Sequence, residues 1–198
     1  MKEQLPRIYL ARHGETEWSL SGKHTGRSDP PLTEEGRHRA ALMGPRLAKL
    51  KFTRVLTSPS TRARQTCDIS GFGAQAVVDP ELQEWDYGKY EAMKTVDILK
   101  INPGWELFRD GAPGGESIAD VTARADRVVT RLRDVNADVL LFSSGHFLRV
   151  LASRWLGMPA GFGAMLVLQT ATLSILGYEH DLTEPAIRLW NDDSHLDA

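Results

Sequence analysis

Residues 8–16 of the chain read IYLARHGET, and this stretch determines how the rest of the sequence is interpreted. Its first four residues are apolar, as in a buried strand, and Arg12 and His13 follow where such a strand would open into a loop. A neutral imidazole at a strand tip can attack phosphorus, and a neighbouring guanidinium offers a planar fork of donors to charged oxygens. The stretch therefore predicts a phosphate-handling loop, although an Arg-His pair taken alone is more often an ordinary surface pair.

The composition excludes several classes of protein. A chain of 198 residues fits one domain, or one domain with an inserted cap, and can bury roughly 70% of its unfolded surface. Lysine and arginine number 24 against 26 aspartate and glutamate, so the net charge is −2. No field of one sign favours nucleic acid or an anionic membrane as a partner, and any anion site must be local.

Cysteine content and hydropathy favour the cytoplasm. Cys67 is the only cysteine, so the chain has no internal disulfide. The first six residues, MKEQLP, lack the apolar stretch of a signal peptide, and no window approaches the run of about 20 apolar residues that spans a membrane. We therefore expect a cytoplasmic protein without a membrane partner.

Short β-type runs alternate with helical patterns, which is typical of an α/β fold. The expected strands are residues 8–11, 55–57, 77–78 and 139–142, with two more at 173–178 and 187–190. We predict a three-layer α/β/α sandwich with a mostly parallel central sheet and an antiparallel edge. Residues 85–115 are rich in glycine, proline and aromatic residues, so they are predicted to form a small mobile cap inserted into a single domain spanning residues 1–198.

Capping signals predict where the helices begin. One helix is predicted to begin near Thr33, and a second at Ser58, which a proline follows. Apolar residues at helical spacing between 117 and 134 predict another helix, with Ser117 and Asp120 as an approximate capping box.

Three distant segments are expected to meet at one edge of the sheet. In an open α/β sheet, ligands gather beyond the carboxyl ends of the strands, where the loop after Ala11 and the turns at Ser58 and 144–146 would open. The motifs concerned read LARHGETEW at residues 10–18, DPPLTEEG at 29–36 and TSPSTRARQT at 57–66. Over nearly its whole length the chain resembles the histidine phosphatase superfamily, also called the phosphoglycerate mutase-like family.

The resemblance implies roles for three residues of the first and third motifs. His13 would be the nucleophile that becomes phosphohistidine, and Arg12 and Arg62 would clamp the transferring phosphoryl group. Two guanidiniums can supply the positive charge that phosphoryl transfer requires without Mg²⁺, so we predict no metal and no cofactor. Arg64 is expected to lie on a solvated helix face.

The resemblance also implies an acid/base carboxylate. Residues 82–88 read LQEWDYG, and Glu84 matches the family glutamate that would protonate the leaving alkoxide and later activate water. Asp86, two residues further on, is the competing candidate.

The chain departs from the family pattern at the position of the family's second histidine. Family members usually have a histidine directly before a glycine at the end of the late strand, whereas residues 142–149 read FSSGHFLR and place Ser144 there. Either His146 supplies the missing imidazolium or Ser144 supplies only a hydroxyl donor. We favour His146, because the helix that begins here also directs its dipole at an anion.

Weaker matches complete the predicted site. Thr25 and Gly26 lie where the family offers backbone N–H groups to phosphate, Tyr87 where it contacts a substrate hydroxyl, and Ser19 where many members have asparagine. In a cysteine phosphatase, the nucleophilic cysteine begins a loop that ends in an arginine, and Cys67 is not followed by such a loop. The histidines at positions 24, 38, 180 and 195 have no metal-site spacing.

Residues 17–26, 84–88 and 145–149 are similar to the branch that contains fungal sedoheptulose-1,7-bisphosphatase. This implies a metal-independent phosphomonoesterase that acts through a phosphohistidine, with a small sugar phosphate or bisphosphate as its partner. A phosphoglycerate-type mutase is an alternative, although Glu84 is followed by WDYG rather than the RHYG of those mutases. A catalytically silent phosphate-binding or regulatory protein is another, and a homodimer is left open.

Overall fold

The computed structural model describes residues 5–196, which fold around a six-stranded mixed sheet. The strands are β1 (Ile8–Arg12), β2 (Arg54–Thr57), β3 (Ala76–Val78), β4 (Val139–Ser143), β5 (Leu173–Tyr178) and β6 (Pro185–Asp192), in the order β3-β2-β4-β1-β5-β6. Strands β1 to β4 pair in parallel, and β5 and β6 continue the sheet antiparallel. The predicted mostly parallel sheet with an antiparallel edge is confirmed.

Helices cover both faces of the sheet. They are α1 (Glu17–Ser21), α2 (Glu34–Leu47), α3 (Thr61–Ile69), α4 (Thr95–Ile101), α5 (Leu107–Asp110), α6 (Ile118–Arg133) and α7 (Gly145–Trp155). Side chains alternate along β1, so Tyr9 and Ala11 pack in one hydrophobic cluster with residues of α2 and α3. Ile8 and Leu10 pack in the other cluster, with α6 and α7. These three layers are the predicted α/β/α sandwich.

The helix starts test the capping predictions. The Thr33 side chain accepts a hydrogen bond from the Gly36 N–H, and Ser117 and Asp120 form a complete capping box, so both predicted starts are confirmed. The predicted start at Ser58 is wrong, because α3 begins at Thr61. The Ser58 N–H instead continues the strand pairing by donating to the Phe142 carbonyl at 2.8 Å, which delays the helix.

The segment predicted as a cap packs onto the main core. Trp85, Trp105 and Phe108 are buried in the same hydrophobic cluster as Leu10 and Val121. Both ends of the segment are joined, because the Glu116 N–H donates to the Asp86 carbonyl. No helix within residues 5–196 is long and apolar enough to cross a membrane.

Candidate active site

A cavity of about 260 Å³ opens where β1 and β4 end side by side, with Arg12 in register with Ser143. Most of its lining side chains can donate or accept hydrogen bonds. The lining residues are Arg12, His13, Ser19, Gly22, Lys23, His24, Thr25, Glu84, Tyr87, Thr95 and His146. The cavity therefore lies at the sheet edge where the sequence predicts a ligand site.

His13 is held in one orientation by its neighbours. Only 4% of the residue is exposed, its N–H donates to the Ser143 carbonyl at 3.0 Å, and its Nδ1 lies 2.7 Å from the Gly14 carbonyl oxygen. Because a carbonyl can only accept, Nδ1 carries the proton. Burial and the positive charges of Arg62 and Arg12 lower the pKa of His13 well below its usual value. The ring is therefore neutral at neutral pH, and the Nε2 lone pair is available.

Arg12 lies against the first turn of α7. One of its terminal nitrogens donates to the Leu168 carbonyl, and its buried Nε has no hydrogen-bond partner among residues 5–196. A Cβ at Gly145 would lie only 3.0 Å from the guanidinium carbon. The absence of a side chain at position 145 is thus what admits the Arg12 guanidinium.

Arg62 lies on α3 and is fully buried, and it is close enough for its charge to lower the pKa of His13, although it is not among the residues that line the cavity. Its guanidinium donates to the Ser28 carbonyl at 2.9 Å, the Thr25 carbonyl at 2.9 Å and the Gly26 carbonyl at 3.3 Å. Its Nε is buried without a partner in the described part of the chain. Arg64, in contrast, is exposed, as the sequence predicts.

Glu84 lines the cavity, whereas Asp86 does not. The Glu84 carboxylate accepts backbone N–H donors from Trp85 at 2.9 Å, His146 at 3.0 Å and Phe147 at 2.8 Å. It therefore occupies the N-terminus of α7, which the sequence suggested would face an anion. Asp86 instead pairs with Arg27 at 3.0 Å.

His146 and Tyr87 form a hydrogen-bonded pair on the cavity wall, with 2.6 Å between the Tyr87 hydroxyl and the His146 Nδ1. Burial and the charge of Glu84 raise the pKa of Tyr87 well above its usual value, so the phenol keeps its proton. Burial and the charge of Arg149 lower the pKa of His146 well below its usual value. A phenol that donates to Nδ1 leaves the proton of the neutral ring on Nε2.

Ser144 occupies the position of the second family histidine. It is fully buried, and its hydroxyl has no hydrogen-bond partner among residues 5–196. It directly follows Ser143, whose carbonyl binds the His13 N–H, so it adjoins the loop that carries the nucleophile candidate. His146 lies on the cavity wall, two residues further along and within α7.

The weaker site predictions have mixed outcomes. The Ser19 hydroxyl lines the cavity but also completes the capping box of α1 with Thr16, and Thr25 lines the cavity. Gly26 does not line the cavity, and its N–H donates to Glu91 at 2.9 Å. A Cβ at Gly26 would lie 2.5 Å from the Trp85 carbonyl oxygen, so this position has no room for a side chain.

Sequence reasoning did not assign one wall of the cavity. Lys23, His24 and Thr95 line it, and the His24 Nε2 lies 3.2 Å from the Thr95 hydroxyl. Their backbones meet through a bridge between Lys23 and Lys94. The two segments are far apart in the sequence, so no local spacing could signal the contact.

Other candidate chemistries find little support in this site. Burial and the nearby Asp68 raise the pKa of the Cys67 thiol to about 12, which keeps the buried thiol protonated and poorly nucleophilic. Among residues 5–196, no group of three histidine, cysteine, aspartate or glutamate side chains is placed to hold a metal ion.

Comparison with known proteins identifies the family. The model of the histidine phosphatase superfamily (branch 1) matches residues 8–193. The chain belongs to this superfamily. An acid phosphatase from Mycobacterium tuberculosis is 38% identical over 185 residues, which are 91% of each chain. A sedoheptulose 1,7-bisphosphatase from Saccharomyces cerevisiae is 32% identical over 80% of this chain and 70% of its own.

Solved structures agree with this assignment. The product of the open reading frame Rv3214 of Mycobacterium tuberculosis is 36% identical and superposes with a TM-score of 0.90, over 95% of this chain and 98% of that chain. An alpha-ribazole phosphatase from Shigella flexneri is 26% identical, with a TM-score of 0.82 over 94% of this chain and 96% of its own. The chain is a phosphatase of the histidine phosphatase superfamily.

Gly145→Ala should reduce phosphatase activity without unfolding the protein. The added Cβ would lie 3.0 Å from the guanidinium carbon of Arg12 and displace that group. We expect kcat/KM to fall by up to about 10-fold, because a displacement of about 1 Å can cost about 100-fold and this contact requires a smaller shift of the guanidinium. The temperature of unfolding should not fall, because alanine stabilises a helix relative to glycine by about 0.5–1 kcal/mol.

Gly44→Ala is the matched control for Gly145→Ala. Gly44 lies within α2, and a Cβ there would approach the Ser70 carbonyl oxygen to 3.0 Å, far from the cavity. This variant should keep wild-type kcat/KM. Equal activity losses in the two variants would mean that crowding at Gly145 does not act through Arg12.

A histidine NMR titration should separate His13 from His180. The lowered pKa of His13 predicts that its ring gains a proton only at a lower pH than a histidine with the ordinary pKa of about 6.5. A hydrogen bond and the charge of Glu184 raise the pKa of exposed His180, so its ring should stay protonated to a higher pH. Protonation of His13 before His180 on acidification would contradict this assignment.

Proposed function

We propose that the protein hydrolyses phosphomonoesters without a metal, through a phosphohistidine formed on Nε2 of His13. The observation that carries this proposal is the hydrogen bond from Nδ1 to the Gly14 carbonyl in a ring whose pKa is lowered. A neutral imidazole with its proton fixed on Nδ1 has its nucleophilic lone pair on Nε2.

In the first half-reaction, Nε2 of His13 attacks phosphorus in line with the leaving oxygen. The N–P bond forms as the P–O bond to the alkoxide breaks, and charge spreads over the three equatorial oxygens. Arg12 and Arg62 provide positive charge for these oxygens, and each has a buried Nε without a partner in the described chain. We assign the unpartnered Ser144 hydroxyl a third donor role toward the same group.

Glu84 is assigned the proton transfers, since it lines the cavity and Asp86 does not. A protonated Glu84 would give its proton to the leaving alkoxide, which departs as an alcohol. The resulting carboxylate would then take a proton from water as the water oxygen attacks phosphorus and the N–P bond breaks. This step releases inorganic phosphate and restores both His13 and protonated Glu84. We assign His146, whose neutral ring carries its proton on Nε2, a hydrogen bond to the oxygen of the leaving group.

The substrate we propose is a small sugar phosphate or bisphosphate. Lys23, His24 and Thr95 form the cavity wall, and their ammonium, imidazole and hydroxyl groups suit the hydroxyls of a polyol. The yeast relative is named a sedoheptulose 1,7-bisphosphatase, which supports the same class. We place the enzyme in the cytoplasm, whose reducing environment suits the buried free thiol of Cys67.

Rapid quenching tests the proposed intermediate. Wild-type protein mixed with a ³²P-labelled phosphomonoester should yield an acid-labile phosphoprotein, and His13→Ala should yield none and lose turnover. His38→Ala is the matched control, because His38 is exposed on α2, and it should retain both signals.

The same assay separates this mechanism from its competitors. Turnover that persists in His13→Ala would refute a phosphohistidine at this position. EDTA should leave the rate unchanged, and loss of activity on chelation would refute the metal-free mechanism. Ser144→Ala should lower the rate of phosphoenzyme formation by about 10- to 150-fold, because a hydrogen bond to a charged group contributes about 1.5–3 kcal/mol.

A substrate panel tests the chemical class. Sugar phosphates and bisphosphates should exceed nucleotides and p-nitrophenyl phosphate in kcat/KM, and a flat profile would refute the sugar assignment. A probable phosphoglycerate mutase from Photorhabdus laumondii is 33% identical over 96% of this chain and 95% of its own, so a mutase reaction is the alternative. With 3-phosphoglycerate and catalytic 2,3-bisphosphoglycerate we expect no 2-phosphoglycerate, and its appearance would favour the mutase.

A further inference from the structure

The loop formed by residues 25–28 is held between a guanidinium and a carboxylate. On one side, Arg62 donates to the carbonyls of Thr25, Gly26 and Ser28. On the other side, Oε1 of Glu91 accepts the N–H groups of Gly26 at 2.9 Å and of Ser28 at 3.0 Å. A shift of the Glu91 carboxylate would therefore move the loop carbonyls that hold the Arg62 guanidinium.

One peptide group connects the two charges directly. The amide that joins Thr25 to Gly26 gives its N–H to Glu91 and its carbonyl oxygen to Arg62. A carboxylate that accepts the N–H of an amide polarises it and makes its carbonyl a stronger acceptor. The Glu91 carboxylate and the Arg62 guanidinium thus interact through the peptide group that lies between them.

The surroundings of Glu91 fix this arrangement. The Ala92 N–H donates to the His24 carbonyl at 2.9 Å, and the His24 N–H donates to the Met93 carbonyl at 2.9 Å. Ala92 has φ of 65°, a left-handed conformation that an alanine adopts only where its neighbours impose it. A Cβ at Gly26 would also lie 2.9 Å from Oε2 of Glu91. The carboxylate and the loop therefore fit together without space for another arrangement.

We propose that Glu91 is a positioning residue for Arg62 in phosphoryl transfer. Its carboxylate sets the loop carbonyls, the carbonyls orient the guanidinium, and the guanidinium keeps its Nε free for the transferring group. Glu91 does not line the cavity, so it acts through Arg62. This proposal rests on the function proposed above.

Glu91→Gln and Glu91→Ala test the proposal. Glutamine keeps an acceptor of similar shape without the charge, and alanine removes the acceptor. We expect kcat to fall by about 10-fold in Glu91→Gln and more in Glu91→Ala, as for loss of hydrogen bonds to a charged group. KM should change much less, because the charge of Arg62 matters most in the transition state.

A double-mutant cycle separates positioning from general stability. If Glu91 acts through Arg62, Glu91→Gln in an Arg62→Lys background should change kcat by less than about 2-fold. If the two substitutions lower kcat independently, so that their fold-changes multiply, the proposal would be overturned. Asp79→Asn is the control, because Asp79 is a buried carboxylate that also accepts a backbone N–H, from Glu81, outside the cavity. It should lower the temperature of unfolding and leave kcat unchanged.

Binding of inorganic phosphate distinguishes failure of this proposal from failure of the proposed function. Calorimetry should show weaker phosphate binding in Glu91→Gln than in wild type, and no further weakening when the substitution is added to Arg62→Lys. Wild-type protein that binds phosphate but forms no phosphoenzyme would refute the function and leave this coupling measurable. Phosphate binding and kcat that are both unaffected by Glu91→Gln would refute the positioning role.

Discussion

Two guanidinium groups and one imidazole lie close together in the protein interior, and burial, reinforced by the two positive charges, sets the protonation state on which the proposed chemistry depends. His13 is almost fully buried, and its burial together with Arg62 and Arg12 lowers its pKa well below the ordinary value. Only the unprotonated ring is nucleophilic. The bond from Nδ1 to the Gly14 carbonyl then determines which nitrogen carries the proton. Charge and geometry together leave Nε2 free.

The two arginines must be held without being neutralised. A buried guanidinium is costly unless it is hydrogen-bonded, and a carboxylate in direct contact would compete with phosphate for its donors. Carbonyl oxygens solve both problems, because they accept hydrogen bonds and carry no net charge. Arg62 donates to carbonyls of residues 25–28, with the exposed Asp29 carboxylate 3.8 Å from one terminal nitrogen, and Arg12 donates to the carbonyl of Leu168. Both oxygens of Glu84 accept backbone N–H groups, and Oε1 of Glu91 accepts two, whereas Oε2 of Glu91 has no partner among residues 5–196. The positive charge therefore remains available to an anion.

The sequence was most informative where local rules apply. The buried strand at residues 8–11 and the capping box at Ser117 depend on neighbouring residues, and both were predicted correctly. The start of α3 was not, because the pairing of Ser58 with Phe142 is a tertiary contact. Lys23 and His24, each taken alone, read as solvated charges in the sequence, and only the contact with the distant Thr95 shows that they form a cavity wall.

The position of the second family histidine shows how much depends on the arginines. Ser144 is extended and precedes α7, whereas His146 lies within the helix, so the two side chains cannot substitute for one another. The hydroxyl of Ser144 is neutral, and burial and the charge of Arg149 also keep the His146 ring neutral by lowering its pKa. Neither restores the positive charge of an imidazolium. In the mechanism that we propose, stabilisation of the transferring phosphoryl group therefore depends on Arg12 and Arg62, and the contacts that orient Arg62 become correspondingly more important.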